Sequence, residues 1–167
     1  MAKLYIITGP AGVGKSTISN EIAKLSNKSA LIEGDEIYHQ VVGGYVSAWL
    51  PGNHLDMFWK VSLKTIETYL NDGYDVVFNY IIGSKDLSRF DIFNDYEKKF
   101  VVLITDEKTI MERDKLRPED CQMKERCIIL LNSFKNDDYD NKYYLDTSKL
   151  SVEESVKEIE ENNKYIF

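Results

Sequence analysis

Cysteine is scarce in this chain. The two present, Cys121 and Cys127, stand six apart, without Cys-x-x-Cys spacing or a histidine nearby, which argues against a zinc site. Long apolar runs are missing too, and no stretch approaches the ~20 residues a helix needs to cross a bilayer. The N-terminus runs directly into a strand pattern at Leu4, so no secretory leader is read and a cytoplasmic location is expected. Basic charge is also short: 21 Lys and Arg against 28 Asp and Glu leave a net charge of −7. A chain so balanced offers no general basic face, and neither nucleic acid nor membrane is expected as a partner. What remains, 43% hydrophobic and 29% charged over 167 residues, suits one domain with a full core.

Against these absences stands Gly9-Pro10-Ala11-Gly12-Val13-Gly14-Lys15-Ser16-Thr17, which fits Gly-x-x-x-x-Gly-Lys-Ser/Thr at every fixed position. Leu4-Tyr5-Ile6-Ile7-Thr8 before it reads as a buried strand, and Ile18, Ile22 and Leu25 after it recur at helical spacing. Strand, glycine turn and helix start, in that order, are the context of a phosphate-binding loop. Glycines allow successive N–H groups to point into one concavity, where they and the helix dipole hold an anion. Lys15 is placed to reach β- and γ-phosphates, and the Ser16 hydroxyl to ligate Mg²⁺.

Strand and helix patterns alternate along the rest, predicting an α/β fold of three layers around five parallel strands. The further strands are read at Ser29–Glu33, Asp75–Ile82, Lys99–Thr105 and Lys142–Asp146. Between the second and third, an aromatic and mostly helical segment over about 36–72 is broken at Gly43-Gly44 and Pro51-Gly52. Phe58 and Tyr69 in it read as core. Asp106 caps a helix, and a polar segment over about 113–126 reads as a short lid. Ser151-Val152-Glu153-Glu154 is a capping box for the last helix, with Val152, Val156 and Ile159 facing inward. Parallel α/β sheets carry their chemical loops at the C-terminal edge.

Three features narrow the chemistry to a small P-loop kinase. Glu33-Gly34-Asp35 ends the second strand facing the loop, where one carboxylate orients an acceptor hydroxyl and another helps hold a Mg²⁺ shell. Arg113-Asp114-Lys115-Leu116-Arg117 supplies arginines to a lid over ATP, with Arg117 before Pro118 at its hinge. The aromatic residues Tyr38, Tyr45, Trp49 and Trp59 fall where a small-molecule acceptor would lie, and Asn79 ends the third strand beside them. No Asp-x-x-Gly occurs and Asn141-Lys142-Tyr143-Tyr144 lacks the aspartate of a guanine reader, which excludes a GTPase.

On these residues the chain resembles the family of small-molecule P-loop kinases that includes shikimate kinase, gluconate kinase and chloramphenicol phosphotransferase. The resemblance implies strand order 2-3-1-4-5, ATP with Mg²⁺ as cosubstrate, and phosphorylation of a hydroxyl. It implies that Gly9–Thr17 and Arg113 bind nucleotide and that Ser16 and Glu33 serve the metal. It gives Lys15, Asp35 and Arg117 the catalytic roles, and the Asp146-Thr147-Ser148 turn the adenine side. The chain departs from shikimate kinase in having Met57-Phe58-Trp59-Lys60 where that enzyme carries an arginine. It also has Asn79-Tyr80-Ile81-Ile82-Gly83 in place of a triple glycine. The expected acceptor is gluconate-, shikimate- or antibiotic-like, the aromatic segment leaning toward a larger or less charged compound, antibiotic-like or nucleoside-like, and the expected assembly is a monomer or homodimer.

Two other readings stand beside this one. A nucleoside or nucleotide kinase would want arginines around an acceptor phosphate, and residues 36–72 contain none. A nucleotide-binding regulatory module with little transfer activity would not need Asp35.

Overall fold

In the computed structural model, which describes residues 1–167, five parallel strands form one sheet in the order β2-β3-β1-β4-β5. They are β1 (Lys3–Thr8), β2 (Ser29–Glu33), β3 (Asp75–Asn79), β4 (Glu97–Ile104) and β5 (Tyr144–Asp146). Helices α1 (Lys15–Ala23), α2 (Gly34–Tyr38), α3 (His54–Asn71), α4 (Glu107–Lys115), α5 (Glu125–Lys135) and α6 (Val152–Glu161) connect or follow them. The sheet order is the expected one.

Strand alternation divides the core in two. Leu4 and Ile6 of β1, with Phe78 and Phe100, pack against Phe58, Trp59, Ile66 and Leu70 of α3. Tyr5 and Ile7 point the other way, to Ile18 and Ile22 of α1 and to Val156 and Ile159 of α6. Both sheet faces are therefore covered, which is why the strands read as continuous apolar runs.

Several boundaries differ from the sequence reading, each for a local reason. β3 leaves the sheet after Asn79, because its partner β2 turns into α2 at Gly34; Tyr80 still donates to the Ile7 carbonyl at 3.3 Å. Lys142 does not begin β5: its amide donates to the Asp140 carboxylate at 3.0 Å, and Asn141–Tyr143 is a 3-10 turn. A 3-10 run over Ser84–Phe93, unforeseen in the sequence, buries Phe90 and Phe93. The helical expectation over 36–72 resolves into the short α2 and the long α3, with irregular chain over 39–53. Leu25 lies past the end of α1 and is exposed, and so are Tyr69 and, in the first turn of α6, Val152. The caps at Asp106 and at Ser151 with Glu154 form as read.

Lys98 and Lys99 are adjacent in β4, both buried, and extend to different helical elements. Lys98 Nζ donates to the Phe90 carbonyl at 3.1 Å in the 3-10 run, and Lys99 Nζ to the Ile159 carbonyl at 2.8 Å near the end of α6. Cations at orphan C-terminal carbonyls complement the helix dipole and satisfy otherwise lost acceptors.

Candidate active site

The loop between β1 and α1 is shaped by its glycines. Gly9 has φ +144°, and a Cβ there would lie 2.5 Å from the Leu103 carbonyl oxygen, so β4 itself requires the glycine. Gly14 is the N-cap of α1 and brings no side chain to cap it. The amides of Lys15, Ser16 and Thr17 consequently have no hydrogen-bond partner within the protein, and they open on the cleft. Unpaired first-turn amides with the positive end of a helix dipole form an anion site.

The cleft above this loop has a volume of about 460 Å³. Residues of the loop, Asp35, Asn79, Arg113, Arg117 and Thr147 share its wall. A cavity of similar size, about 440 Å³, sits by Lys3 and Asp75 at the opposite edge of the sheet, away from every strand's C-terminal end.

Lys15 is folded back on its own loop, Nζ donating to the Gly9 and Pro10 carbonyls at 3.0 Å each. Burial pulls its pKa down to about 8; the Asp35 carboxylate opposes the fall and the Arg117 guanidinium adds to it. The three charges therefore sense one another across the cleft. Asp35, in the first turn of α2, is exposed on the wall. Glu33 stands behind it, outside the cleft lining, with Oε1 3.5 Å from Asn79 Nδ2 in the register pair that ends β2 and β3.

Arg113 spends three donors inside the protein. Its Nη1 donates to the Val13 carbonyl at 2.8 Å and to Thr147 Oγ1 at 3.0 Å, and Nη2 to the Thr147 carbonyl at 3.1 Å. It thereby ties the phosphate loop to the turn after β5. Arg117 reaches the cleft from beyond the end of α4, and its Nη1 lies 3.3 Å from Asp114 Oδ1. Asp114 is buried and also accepts from the amides of Met123 and Lys124, at 3.0 and 2.8 Å. The sequence shows Asp114 only as one charge in a charged helix; its role comes from the returning chain at 123–124.

The acceptor-side expectations divide. Tyr38 is buried, donating its hydroxyl to the Val46 carbonyl, and its ring meets Tyr45 edge-on at 5.6 Å. Trp49 is exposed on the loop and lies under the Arg126 guanidinium at 5.0 Å. Trp59, expected on the acceptor side, is instead 4% exposed in the core, against Phe58, Phe78 and Phe90, and has no open face for an acceptor. The amphipathic periodicity of α3 places it on the inward stripe. Tyr80, missed in the sequence, links the two regions, its ring 4.4 Å from Phe58 and packed on Gly34.

No group of three or more His, Cys, Asp or Glu side chains is arranged to hold a metal ion. That donor set still fits Mg²⁺ with a nucleotide, since this ion keeps several waters and takes one or two protein oxygens besides phosphate. Ser16 and Asp35 supply such oxygens in the cleft.

No protein-family model and no curated protein matches the sequence. Solved structures do match in fold. A Deinococcus radiodurans tunicamycin resistance protein superposes with TM-score 0.69 at 16% identity, covering 95% of this chain and 94% of that one. A gluconokinase from Sinorhizobium meliloti 1021 gives 0.62 at 19%, over 94% and 89%. Thymidylate kinase from Candida albicans gives 0.65 at 13%, over 96% and 90%. The chain thus shares its fold with these proteins, and its own sheet is parallel, of order 2-3-1-4-5, with helices on both sides.

Proposed function

We propose that the chain is an ATP-dependent phosphotransferase that moves the γ-phosphoryl group to a hydroxyl of a small molecule. The observation that carries this reading is that a carboxylate, Asp35, shares one cleft with the unpaired loop amides, Lys15, Ser16 and Arg117. A phosphate binder alone needs the loop; a carboxylate facing it across a cleft is what an acceptor hydroxyl requires. The kinase names of two structural neighbours support the same reading.

In the mechanism, the amides of Gly14–Thr17 cradle the β- and γ-phosphates and Lys15 leaves the Gly9 and Pro10 carbonyls to pair with them. The Ser16 hydroxyl would hold Mg²⁺ in the cleft, with Glu33 behind the wall on Asn79, and the ion would supply neutralisation of phosphate charge. Asp35 orients the acceptor hydroxyl and accepts its proton as the new O–P bond forms. The bond from the γ-phosphorus to its bridging oxygen breaks, and ADP departs with that electron pair. Arg117, at the edge of a lid over about 113–126, balances charge on the moving phosphoryl group. Residues of about 36–72 form the acceptor side, and Asn79 holds Glu33 at the back of the cleft.

The test is incubation with a metabolite extract and Mg-ATP carrying a heavy-isotope γ-phosphate, read by mass spectrometry. A labelled product is expected with the wild type. Asp35→Asn should lower its rate ~10²-fold or more while ATP binding survives. Transfer by Asp35→Asn at the wild-type rate would refute the assignment.

A further inference from the structure

We propose that the acceptor bears an apolar group which lodges between α2 and α3, one ring or a branched aliphatic unit of about six to ten non-hydrogen atoms. This rests on the phosphotransfer reading and names the class of molecule that the same site takes.

A second cavity of about 280 Å³, with no lining residue in common with the cleft, lies between α2, α3 and the irregular chain over 39–53. A cavity of about 150 Å³ lined by apolar side chains holds one benzene ring, so this one admits a larger group. Eight of its eleven lining residues are hydrophobic, and none is Asp, Glu, Lys or Arg. A carboxylate or phosphate entering it would lose water and gain no counter-charge, which is strongly unfavourable. The wall instead offers aromatic faces and edges. Tyr38 meets Tyr45 at 5.6 Å and Phe58 at 5.7 Å, both edge-on, and is fixed by its hydrogen bond to the Val46 carbonyl.

A second observation is independent of shape. Nε2 of His54, on the same wall, is buried and has no hydrogen-bond partner. Buried polar atoms are nearly always paired, with protein, ordered water or a bound group. Here the occupant brings that partner, and so carries one neutral polar atom as well as its apolar body.

Position connects the cavity to the chemistry. Ile37 and Tyr38 line it from the same helix that carries Asp35, and three residues of helix rise only ~4.5 Å. Tyr80 continues the ring system, 4.4 Å from Phe58 on one side and against Gly34 on the other. A molecule anchored here holds a hydroxyl on a short arm toward Asp35. Discrimination then comes from the apolar body, and a highly charged sugar acid has no place in it.

The experiment uses saturation-transfer NMR on the intact protein with Mg-ADP. The probes are 2-phenylethanol, the three isomeric 2-(hydroxyphenyl)ethanols, and gluconate. The wild type should saturate 2-phenylethanol and not gluconate, and at least one hydroxyphenyl isomer should bind threefold or more tightly than the parent. His54→Phe, which keeps a flat ring without the nitrogen, should erase that advantage and leave 2-phenylethanol binding. Val46→Trp, filling the cavity from the irregular loop, should weaken every aromatic probe at least tenfold. Wild-type ADP affinity in both variants shows that they are folded. Binding of gluconate in preference to 2-phenylethanol, or unchanged aromatic binding in Val46→Trp, overturns the proposal. The phosphotransfer reading fails separately: aromatic probes that bind as described, with no acceptor phosphorylated by the wild type in the isotope assay, would leave the cavity standing and remove the kinase.

Discussion

Tyr80 packs on Gly34 so closely that a Cβ on the glycine would lie 2.6 Å from Tyr80 Cδ2 and 2.8 Å from its Cβ and Cγ. A tyrosine Cβ cannot swing aside, so any side chain at 34 moves the start of α2 or the end of β3. The residue that travels with α2 is Asp35. Gly34→Ala should lower phosphoryl transfer ~10²-fold, the scale of an ångström-sized misplacement. Overpacking should also cost about 1–3 kcal/mol of stability. ATP affinity should stay within threefold of wild type, because the phosphate loop lies on another strand. Steady-state kinetics with a thermal melt check this, and transfer at the wild-type rate would show that Asp35 needs no such register.

The depressed pKa of Lys15 has a pH signature. Burial holds the free protein's ammonium near 8, against 10.5 for an unburied lysine. Phosphate binds the charged form, so affinity for ATP should be flat below that pH and weaken above it. The loss should approach tenfold per pH unit until the lysine titrates in the complex as well. The sign is fixed: the free protein loses its proton first, and binding must restore it. Calorimetric titration between pH 6.5 and 9.5 measures this. In Lys15→Met the curve should be weaker throughout and lose its break near 8.

Asp114 anchors the chain that returns at 123–124. Burial works against its charge, but the amides of Met123 and Lys124 outweigh it and hold the carboxyl below its ordinary range. Lys124 has φ 51° and ψ −128°, a conformation costly for a residue with a side chain, and the bond from its amide to Asp114 stabilises it. Asp114→Ala should cost about 1–3 kcal/mol for each amide left without an acceptor. Hydrogen exchange at 123 and 124 should rise most. Lys124→Gly, free of the Cβ penalty, should recover part of the loss. Because the folded pKa is depressed, this stabilisation is complete above the unfolded carboxyl's ~3.9 and disappears as pH falls through the folded value. Exchange in Asp114→Ala equal to wild type would remove the anchor.

What was legible in the sequence was what is local. The phosphate loop is nine consecutive residues with a strand before and a helix after, and the sheet order followed from resemblance to proteins with the same element sequence. The contacts that were not legible join distant positions. Gly34 meets Tyr80, Arg113 meets Thr147, and Asp114 receives the amides of 123 and 124; none leaves a periodic trace. Trp59 shows the opposite failure. Its composition suggested an aromatic pocket, yet helical spacing places it on the stripe that meets the sheet, and spacing decides. The two buried lysines of β4 look like a polar strand end and are in fact helix caps supplied across the fold.

Trp49 and Arg126 join the irregular loop of 39–53 to the start of α5 through a guanidinium 5.0 Å from the indole ring. The chain has only two tryptophans, and Trp59 is buried, so Trp49 is the fluorophore that solvent reaches. A cation–π pair at an exposed site contributes about 0.5–1 kcal/mol, which corresponds to about two- to fivefold in an equilibrium. Arg126→Ala should therefore increase acrylamide quenching of Trp49 and raise KM for the acceptor by about two- to fivefold, with kcat nearly unchanged. Trp49→Phe should remove the quenching response while keeping a ring for the arginine, so the acceptor KM should change less than in Arg126→Ala. An Arg126→Ala variant with unchanged quenching and unchanged KM would mean that the loop of 39–53 and the start of α5 are not coupled. The acceptor would then be held from the cavity side alone.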